Sequence, residues 1–297
     1  MTALRQQRDP GLLDYLKSLP LYPLPHHAVS RLTFWLTRLE TPWLKNLLIR
    51  SFAWHFKVDW REALYPRPED YRHFNAFFTR PLRAEARPIE GDDSVVVCPA
   101  DGHISQIGAV DGDAVFQAKG HEFGVTTLLG GDDARAEPFR NGQFVTVYLS
   151  PRDYHRVHMP IDGTLRETVY VPGRLFSVAP HTTRTIPELF ARNERLVSIF
   201  DTDAGPMAVV LVGAINVAAI ETVWSGLVTP PHRSRIEVTS YRNGGVALER
   251  GAELGRFNMG STVILLFAPE RVGWRQDLRA EQIVRMGQAL GVRRQVE

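Results

Sequence analysis

A glycine–serine pair lies near the C-terminus, directly ahead of an apolar run. Gly260 and Ser261 precede residues 263–267, which read Val-Ile-Leu-Leu-Phe and are followed by Ala-Pro. An apolar run bounded in this way predicts a buried strand. Glycine tolerates unusual backbone geometry, so a serine that follows it can hold its hydroxyl against the preceding carbonyl. This arrangement would allow Oγ of Ser261 to attack the Gly260 carbonyl in an N-to-O acyl shift, provided that a base lies nearby. Gly-Ser-Thr is also a common turn sequence.

Two further motifs change how this pair is interpreted. In chain order the motifs are Cys98-Pro99-Ala100-Asp101-Gly102-His103, Asp153-Tyr154-His155-Arg156-Val157-His158-Met159-Pro160 and Met259-Gly260-Ser261-Thr262. Shorter matches lie at residues 116–121, 190–195 and 221–224. Together they resemble the phosphatidylserine decarboxylases, which are pyruvoyl-dependent membrane enzymes, from about residue 99 to residue 269. The family usually has Leu-Gly-Ser-Thr at its cleavage site, and Met259 is a nearly volume-conserving replacement for that leucine.

The resemblance implies that Asp101, His158 and Ser261 act once, as a protease-like triad. His158 would take the proton of Ser261, and Asp101 would fix the imidazole tautomer. The ester would then undergo β-elimination, which separates a β chain, 1–260, from an α chain, 261–297, between Gly260 and Ser261. The dehydroalanine left at position 261 would become an imine and hydrolyse to a covalent pyruvoyl group, with release of ammonia. This pyruvoyl group is the expected cofactor.

The resemblance also implies how that group is used. A substrate amine can condense with the pyruvoyl ketone to a Schiff base, which withdraws the electrons released by loss of carbon dioxide. His155 is the candidate proton donor to the resulting carbanion, because the family assigns that histidine to decarboxylation. The implied reaction converts phosphatidylserine to phosphatidylethanolamine and carbon dioxide.

Each candidate residue also has a structural interpretation. Asp-Gly is a common turn sequence, so Asp101 by itself could be structural. His155 and His158 could form a metal pair, but no matching acid or cysteine cluster accompanies them, so we expect no metal site. Lys119 and Arg156 are candidate contacts for a substrate phosphate or carboxylate, and otherwise are solvated cations.

Charge is unevenly distributed along the chain. The formal net charge is +2 over 297 residues, so no nucleic-acid partner is expected. Residues 1–57 contain eight Lys or Arg against three Asp or Glu, and this asymmetry indicates an anionic surface as a partner. Cys98 is the only cysteine, which excludes an intrachain disulfide and favours a reducing compartment. We expect neither a secretory signal nor a membrane span, because no apolar segment is long enough for a span.

Residues 11–60 are predicted to form helices interrupted by prolines. The first helix should end at Pro20, Pro23 and Pro25, and another should begin at Pro42. Three basic residues are spaced by seven, at Arg31, Arg38 and Lys45. They would share one face of a continuous helix, unless Pro42 breaks the register. Four of the six tryptophans lie here; they are Trp35, Trp43, Trp54 and Trp60. The pattern is typical of a helix in a membrane interface. A helix docked on the protein's own core is the alternative, and the resemblance favours the membrane.

The remaining sequence predicts a β-rich domain. From about residue 95 to residue 267, short runs of Val, Ile, Thr, Phe and Tyr alternate with Gly, Pro and Asp turns, as in an antiparallel sandwich or open barrel. Helical patches are predicted at 71–78, 187–193 and about 280–290. The expected class is α+β, with an N-terminal helical, membrane-associating region over 1–90 and a β-rich catalytic domain over 91–297.

The predicted protein is a peripheral enzyme on the cytoplasmic face of the cell membrane. Its expected partners are the substrate phosphatidylserine and an anionic membrane surface, and its α and β chains should stay associated. A homo-oligomer of this αβ unit is an open alternative. Two other functions also stay open. A membrane-associated serine hydrolase would need Ser261 intact, and the Gly-x-Ser-x-Gly motif of such enzymes is absent. A non-catalytic membrane-bound β domain would remain one chain.

Overall fold

The N-terminal region consists of short helices, and several of their boundaries lie at prolines. A computed structural model describes residues 9–215, 219–241, 245–258 and 261–294. The first three α-helices are α1 (Leu12–Ser18), α2 (His26–Leu36) and α3 (Pro42–Phe56). A 3₁₀ turn over Leu19–Leu21 follows α1, and Pro42 is the first residue of α3. The predicted helix boundaries at these prolines are therefore confirmed.

The three basic residues spaced by seven do not form one stripe. Helix α2 ends at Leu36, so Arg38 lies between the helices. Lys45 is buried, and its Nζ donates to the Asn46 side chain at 2.7 Å and to the Pro68 carbonyl at 3.1 Å. Pro42 thus breaks the register, and Lys45 serves the packing of α3 instead of an open basic face.

Helix α3 packs against a short helix, α4 (Phe74–Phe78), through aromatic rings. Phe52 of α3 meets Phe74, Phe77 and Phe78 edge-on, with ring centroids 5.2, 6.3 and 5.8 Å apart. Edge-to-face contacts of this kind are favourable beyond the area that they bury. Helix α4 confirms the helical patch predicted at 71–78, and it fixes one face of α3 toward the protein.

In the remaining described chain, most of the regular secondary structure is antiparallel β-strand. Its strands are β1 (Val95–Val97), β2 (Gly102–Ala109), β3 (Ala114–Ala118), β4 (His121–Gly124), β5 (Gln143–Leu149), β6 (Arg156–His158), β7 (Gly163–Val171), β8 (Arg195–Thr202), β9 (Gly205–Val212), β10 (Ala219–Thr222), β11 (Gly226–Thr229), β12 (Glu237–Ser240), β13 (Ala247–Leu248), β14 (Glu253–Asn258), β15 (Ser261–Phe267), β16 (Val272–Trp274), β17 (Ile283–Val284) and β18 (Ala289–Arg293). Short helices lie between them, at α5 (Val125–Leu128), α6 (Asp133–Ala136), α7 (Pro180–Thr183) and α8 (Leu189–Arg192). Helix α8 falls inside the helical patch predicted at 187–193.

The largest sheet has nine strands. Eight run in the order β12-β7-β8-β9-β15-β5-β2-β17, and β13 pairs with β7. Smaller sheets have the orders β11-β10-β14-β6, β1-β18-β16 and β3-β4. These open antiparallel sheets with short N-terminal helices confirm the predicted α+β class. The buried core of the strands lies after residue 91 and the aromatic core of α3 and α4 lies before it, but the predicted domain boundary stays a prediction.

Strand β15 lies inside the largest sheet, between β5 and β9. All seven of its residues are buried, which confirms the strand predicted at 263–267 and extends it back to Ser261. Its register places Ser261 opposite Leu149, the last residue of β5. The end of β15 that carries the serine therefore meets the point where the chain leaves β5.

The prediction of a helix at about 280–290 is wrong. This segment contains β17, which pairs with β2, and the start of β18, which pairs with β1. Two β-branched residues, Ile283 and Val284, form β17 and favour a strand. Gly287 has φ +85° and a Cβ there would lie 2.4 Å from the Pro88 carbonyl oxygen, so the chain turns at this residue in a conformation that ends a helix.

Candidate active site

Ser261 occupies the first position of β15 and is fully buried. Its Oγ has no hydrogen-bond partner among the described residues. A buried hydroxyl without a partner is costly in a folded protein, and Ser261 also lies on the wall of a cavity. Met259 and Gly260, the two residues before it, lie outside the described residues, so the predicted Gly260–Ser261 junction is described from the serine side only.

The segment that carries both candidate histidines starts beside Ser261. Leu149 is paired with Ser261, and residues 150–158 follow it directly. The Phe257 amide donates to the His155 carbonyl at 3.0 Å, and His158 of β6 lies opposite Glu253 of β14. Strands β14 and β15, which flank the Gly260–Ser261 junction, are therefore both attached to the histidine segment. This topology brings together residues that the sequence places far apart.

His158 is held by hydrogen bonds at both ring nitrogens. Its Nδ1 donates to the Gly251 carbonyl at 2.7 Å, and the Tyr154 hydroxyl donates to its Nε2 at 3.0 Å. Burial lowers the pKa of His158, and the Gly251 carbonyl opposes that effect. Burial also raises the pKa of Tyr154 to about 12, so the phenol stays protonated and donates. His158 is thus a neutral base whose tautomer is fixed with its lone pair on Nε2.

Asp101 makes its close contacts with groups other than His158. Nε and Nη2 of Arg87 donate to its carboxylate at 2.8 and 2.5 Å, and the Met286 amide donates at 2.9 Å. We predicted that Asp101 would fix the tautomer of His158, but in this structure the Gly251 carbonyl does so. The charge of Asp101 acts on His158 at longer range, where it opposes the lowering of that pKa by burial. The triad as a catalytic unit stays a prediction.

The backbone around Asp101 is fixed by close packing. Asp101 immediately precedes β2, whose first residue is Gly102. A Cβ at Gly102 would lie 2.2 Å from the Tyr148 carbonyl oxygen of β5. Only glycine fits there, so the Asp-Gly pair positions the carboxylate at the end of the sheet as well as forming a bend.

Removal of the Arg87 charge is expected to destabilise the protein strongly. The side chains of Arg87 and Asp101 are only 6% and 9% exposed, so Arg87→Met would leave a buried carboxylate without its cation. Such a loss costs about 3–5 kcal/mol in the free energy of unfolding, measurable by urea denaturation. Arg61→Met is the matched control, because Arg61 pairs with Asp59 while 90% exposed, and it should change little. Equal effects of the two substitutions would show that the buried pair is not a stabilising contact.

His155 is entirely buried and stacks on Phe78, with the ring centroids 4.0 Å apart and the planes at 20°. Neither ring nitrogen has a partner of good hydrogen-bond geometry among the described residues. Burial and then the charge of Arg80 lower the pKa of His155 to about 3, while the nearby carbonyls of Ser150 and Pro151 oppose this shift. His155 is therefore neutral at rest, and it differs from His158 in having unpaired ring nitrogens.

Arg80 was not predicted as a site residue, because no motif or spacing distinguishes it. Its side chain is buried, and burial lowers its pKa. Nη2 donates to the Arg152 carbonyl at 3.2 Å, whereas Nε and Nη1 have no hydrogen-bond partner among the described residues. A buried guanidinium with free donors close to His155 is suited to a planar anion. Lys119 and Arg156, which the sequence did suggest, are engaged elsewhere: Lys119 with Asp9 at 2.8 Å and Arg156 with Glu253 at 2.7 Å.

A cavity of about 380 Å³ opens beside Ser261. Tyr148, Leu149 and Pro151 line its sheet side. The helical side is formed by Phe52, Phe56 and Phe78, and the remainder by residues 177–179, 214 and 215. The lining is mostly apolar and comes from both the strands and the N-terminal helices. Phe52 and Phe56 were missed by the sequence analysis, because within a helix rich in Trp and Leu they have no distinguishing pattern.

Comparison with known proteins identifies the family. Residues 74–292 match the family model described as phosphatidylserine decarboxylase, a range that includes each of the site residues above from Arg80 to Ser261. The chain belongs to the phosphatidylserine decarboxylase family. A second model, described as PSD, matches residues 16–57. The resemblance stated from the motifs is therefore confirmed.

Relatives in this family are similar to this chain over nearly their whole length. The chain is 60% identical to a protein of Alkalilimnicola ehrlichii over 90% of this chain and 93% of the relative. It is 57% identical to a protein of Ectopseudomonas mendocina over 92% and 96% of the two chains, and 56% identical to one of Azotobacter vinelandii over 94% and 98%. All three relatives bear the name phosphatidylserine decarboxylase proenzyme.

Proposed function

We propose that this chain is a phosphatidylserine decarboxylase proenzyme that cleaves itself between Gly260 and Ser261. Its two products, chains 1–260 and 261–297, would stay associated and convert phosphatidylserine to phosphatidylethanolamine and carbon dioxide. The observation that carries the proposal is Ser261 itself, a buried serine with an unpaired Oγ on the wall of a cavity. A denaturing gel of the purified protein, together with an assay of carbon dioxide release from phosphatidylserine vesicles, tests both halves of the proposal.

In the cleavage step, His158 is the base for Ser261. The Tyr154 hydroxyl occupies Nε2 of His158 at rest, so this hydrogen bond must be exchanged for one from Ser261. As Ser261 Oγ attacks the Gly260 carbonyl carbon, its proton passes to Nε2, and the imidazolium then returns a proton to the departing amide nitrogen. The Gly251 carbonyl and the charge of Asp101 stabilise the imidazolium while it exists. In the elimination that follows, a base removes the α-proton of residue 261 while the bond from its Cβ to the ester oxygen breaks, and the Gly260 carboxylate leaves.

The site fits the pyruvoyl group that the family implies. Residue 261 faces a cavity, and its Oγ is held by no other described group, so the serine is free to be consumed. A pyruvoyl group made from Ser261 would supply a ketone that binds the substrate amine and accepts the electrons released with carbon dioxide. The mostly apolar lining excludes water from this position.

Two side chains behind the Phe78 wall of the cavity would act on the substrate. His155 is neutral at rest, but an anionic substrate beside its ring would raise its pKa and allow it to carry a proton to the substrate α-carbon. Stacking on Phe78 holds the ring in place for that transfer. The unpaired Nε and Nη1 of Arg80 would bind a carboxylate or phosphate oxygen of the substrate.

We also propose that α1, α2 and α3 lie on an anionic membrane surface, on the cytoplasmic face of the cell membrane. Among the described helices, none is both long and apolar enough to cross a bilayer. Most of the exposed large apolar side chains nevertheless belong to residues 12–54. Helix α3 exposes Trp54 by 82%, while Phe52 and Phe56 of the same helix line the cavity. A helix that contacts lipid on one side and the cavity on the other would let a lipid headgroup reach Ser261 from the membrane.

Vesicle binding should depend on the exposed tryptophans. Replacing Trp43 and Trp54 together with serine removes two large apolar side chains, each of which contributes about 1.5–3 kcal/mol when buried. Cosedimentation with vesicles that contain anionic lipid should therefore fall by about tenfold or more, and binding of the parent should weaken as salt rises. Trp35→Ser is a matched test of the neighbouring helix, since Trp35 is also exposed. Unchanged binding in the double variant, with an unchanged melting temperature, would contradict the membrane assignment.

The two competing functions predict one uncut chain, whereas self-cleavage predicts two. A membrane-associated serine hydrolase needs Ser261 intact, and a non-catalytic membrane-bound β domain makes no carbonyl group. Under either function the purified protein stays one chain. Sedimentation velocity would separately test whether the αβ unit forms a homo-oligomer.

A further inference from the structure

A second group of chemically active side chains lies outside the cavity lining. His27 belongs to α2, Glu194 directly precedes β8, and His232 follows β11. One ligand atom from each residue lies within 4.8 Å of those of the other two. The rings of His27 and His232 are 4.5 Å apart between centroids. The fold thus brings three residues of metal-ligating types together, one from an N-terminal helix and two from segments of the β-rich part.

The hydrogen bonds of both histidines leave one ring nitrogen free. Nε2 of His27 donates to the Gly173 carbonyl at 3.1 Å, and its Nδ1 is buried without a partner. Nδ1 of His232 donates to both carboxylate oxygens of Glu194 at 2.9 Å, and its Nε2 is buried without a partner. A metal-binding histidine has the same arrangement, in which one nitrogen donates to a carbonyl or carboxylate and the other binds the ion.

The adjacent histidine shows that burial alone does not produce this arrangement. His26 is also buried in α2, but Nε2 donates to the Leu21 carbonyl at 2.7 Å and Nδ1 accepts from the Leu175 amide at 3.2 Å. Both nitrogens of His26 are therefore satisfied within the protein. The free nitrogens of His27 and His232 differ from those of His26 in this respect, and leaving a buried acceptor unpaired is costly.

Glu194 supplies the negative charge at this position. It is only 2% exposed, and the Tyr170 hydroxyl donates to its Oε1. Two arginines lie at its edge, since Arg31 acts on His27 and Arg233 lies 5.1 Å from the Tyr170 ring centroid. A buried carboxylate beside two imidazoles gives a mixed nitrogen and oxygen ligand set, which suits zinc better than calcium or magnesium.

We propose that His27, Glu194 and His232 bind one divalent transition-metal ion, with Zn²⁺ as the ion that the ligand set fits best. Zn²⁺ needs Zn–N and Zn–O distances of about 2.0–2.2 Å, so the ligand atoms must draw together around the ion from their present spacing. Three protein ligands leave the fourth tetrahedral position for water. If Glu194 coordinates the ion directly, its carboxylate gives up the hydrogen bond from Nδ1 of His232.

The ion would fasten α2 to the catalytic sheet. Gly173, which accepts from His27, begins the segment that continues to Ser177, Val178 and Ala179 in the cavity wall. Metal binding would therefore fix both the N-terminal helices and this wall. The inference goes beyond the proposed decarboxylase activity and does not depend on cleavage at Ser261.

The test uses the full-length protein, free of any affinity tag and stripped of metal with a chelator. Calorimetric titration with ZnCl₂ should give one saturable ion per chain, and the melting temperature should rise when Zn²⁺ is added. Titration with Co²⁺ should give the intense visible absorption of a tetrahedral site. His27→Gln and His232→Gln should each lose more affinity than the roughly 10–100-fold that loss of a supporting contact costs. His55→Gln, which removes an exposed histidine of α3, should bind like the parent.

Two results would overturn the proposal. The first is no saturable Zn²⁺ or Co²⁺ binding by the parent protein, a measurement that requires no variant to fold. The second is parental affinity in both His27→Gln and His232→Gln, which would place the ion elsewhere. Neither result bears on carbon dioxide release or self-cleavage, so a failure here is distinguishable from a failure of the proposed function.

Discussion

Ser261→Ala is expected to leave the protein as one chain, with no detectable decarboxylase activity. Without Oγ no ester can form at the Gly260 carbonyl, and no pyruvoyl group can follow from it; in related catalytic units, loss of the nucleophile costs roughly 10⁶ in rate. A denaturing gel reports cleavage, and carbon dioxide release from phosphatidylserine vesicles reports turnover. Both readouts should be lost together.

The matched control is Ser198→Ala. Ser198 is also a fully buried serine on a strand, and its Oγ also has no partner among the described residues. Both variants therefore remove a buried hydroxyl without a partner, and they differ in whether that hydroxyl is the proposed nucleophile. Ser198→Ala should still be cut. A cleaved Ser261→Ala protein would refute the assignment of the nucleophile, and an uncut Ser198→Ala protein would mean that cleavage responds to general damage to the sheet.

His155→Ala is expected to separate cleavage from turnover. The variant should still be cut, because the base for Ser261 is His158, yet its decarboxylation should fall by about 10²–10⁴-fold, the usual contribution of a positioned proton donor. His158→Ala should instead stay uncut. Each variant is scored twice, once for cleavage on a gel and once for carbon dioxide release. His155→Gln, which fills more of the space against Phe78 than alanine does, controls for loss of the stacked ring.

Loss of cleavage in His155→Ala would change the roles assigned to the two histidines. If His155→Ala blocks cleavage as completely as His158→Ala, the division of roles between the two histidines fails. Membership of the family would be unaffected, because it rests on the match over residues 74–292. The unpaired ring nitrogens of His155 would then need a role in the formation of the cofactor.

The sequence predicted those parts of the fold that depend on local chemistry. The five apolar residues after Thr262 indicated a buried strand, and the structure contains one. The prolines between residues 20 and 42 indicated where α1 ends and where α3 begins. The same local reasoning was wrong at 280–290, because a polar segment with helical spacing there is turned by Gly287 and paired with β1 and β2.

The sequence could not predict how the site residues meet. The pairing of Ser261 with Leu149 is a matter of register between distant strands. The Gly251 carbonyl that orients His158 has no side-chain signature at all. The contact of Arg87 with Asp101 joins the segment between α4 and β1 to the start of β2, and the motifs indicated Asp101 alone. Long-range contacts of this kind are set by packing and carry no local sequence pattern.

Intact-mass measurement of the purified wild-type protein tests the central claim most directly. Self-cleavage between Gly260 and Ser261 predicts two species, the chain 1–260 with a free C-terminal carboxylate and the chain 261–297. The second chain should be lighter by one ammonia than a peptide with serine at position 261, and it should shift in mass after reaction with hydroxylamine, because it begins with a ketone. A single uncut chain with full decarboxylase activity, or a chain 261–297 that retains its N-terminal serine, would contradict the account.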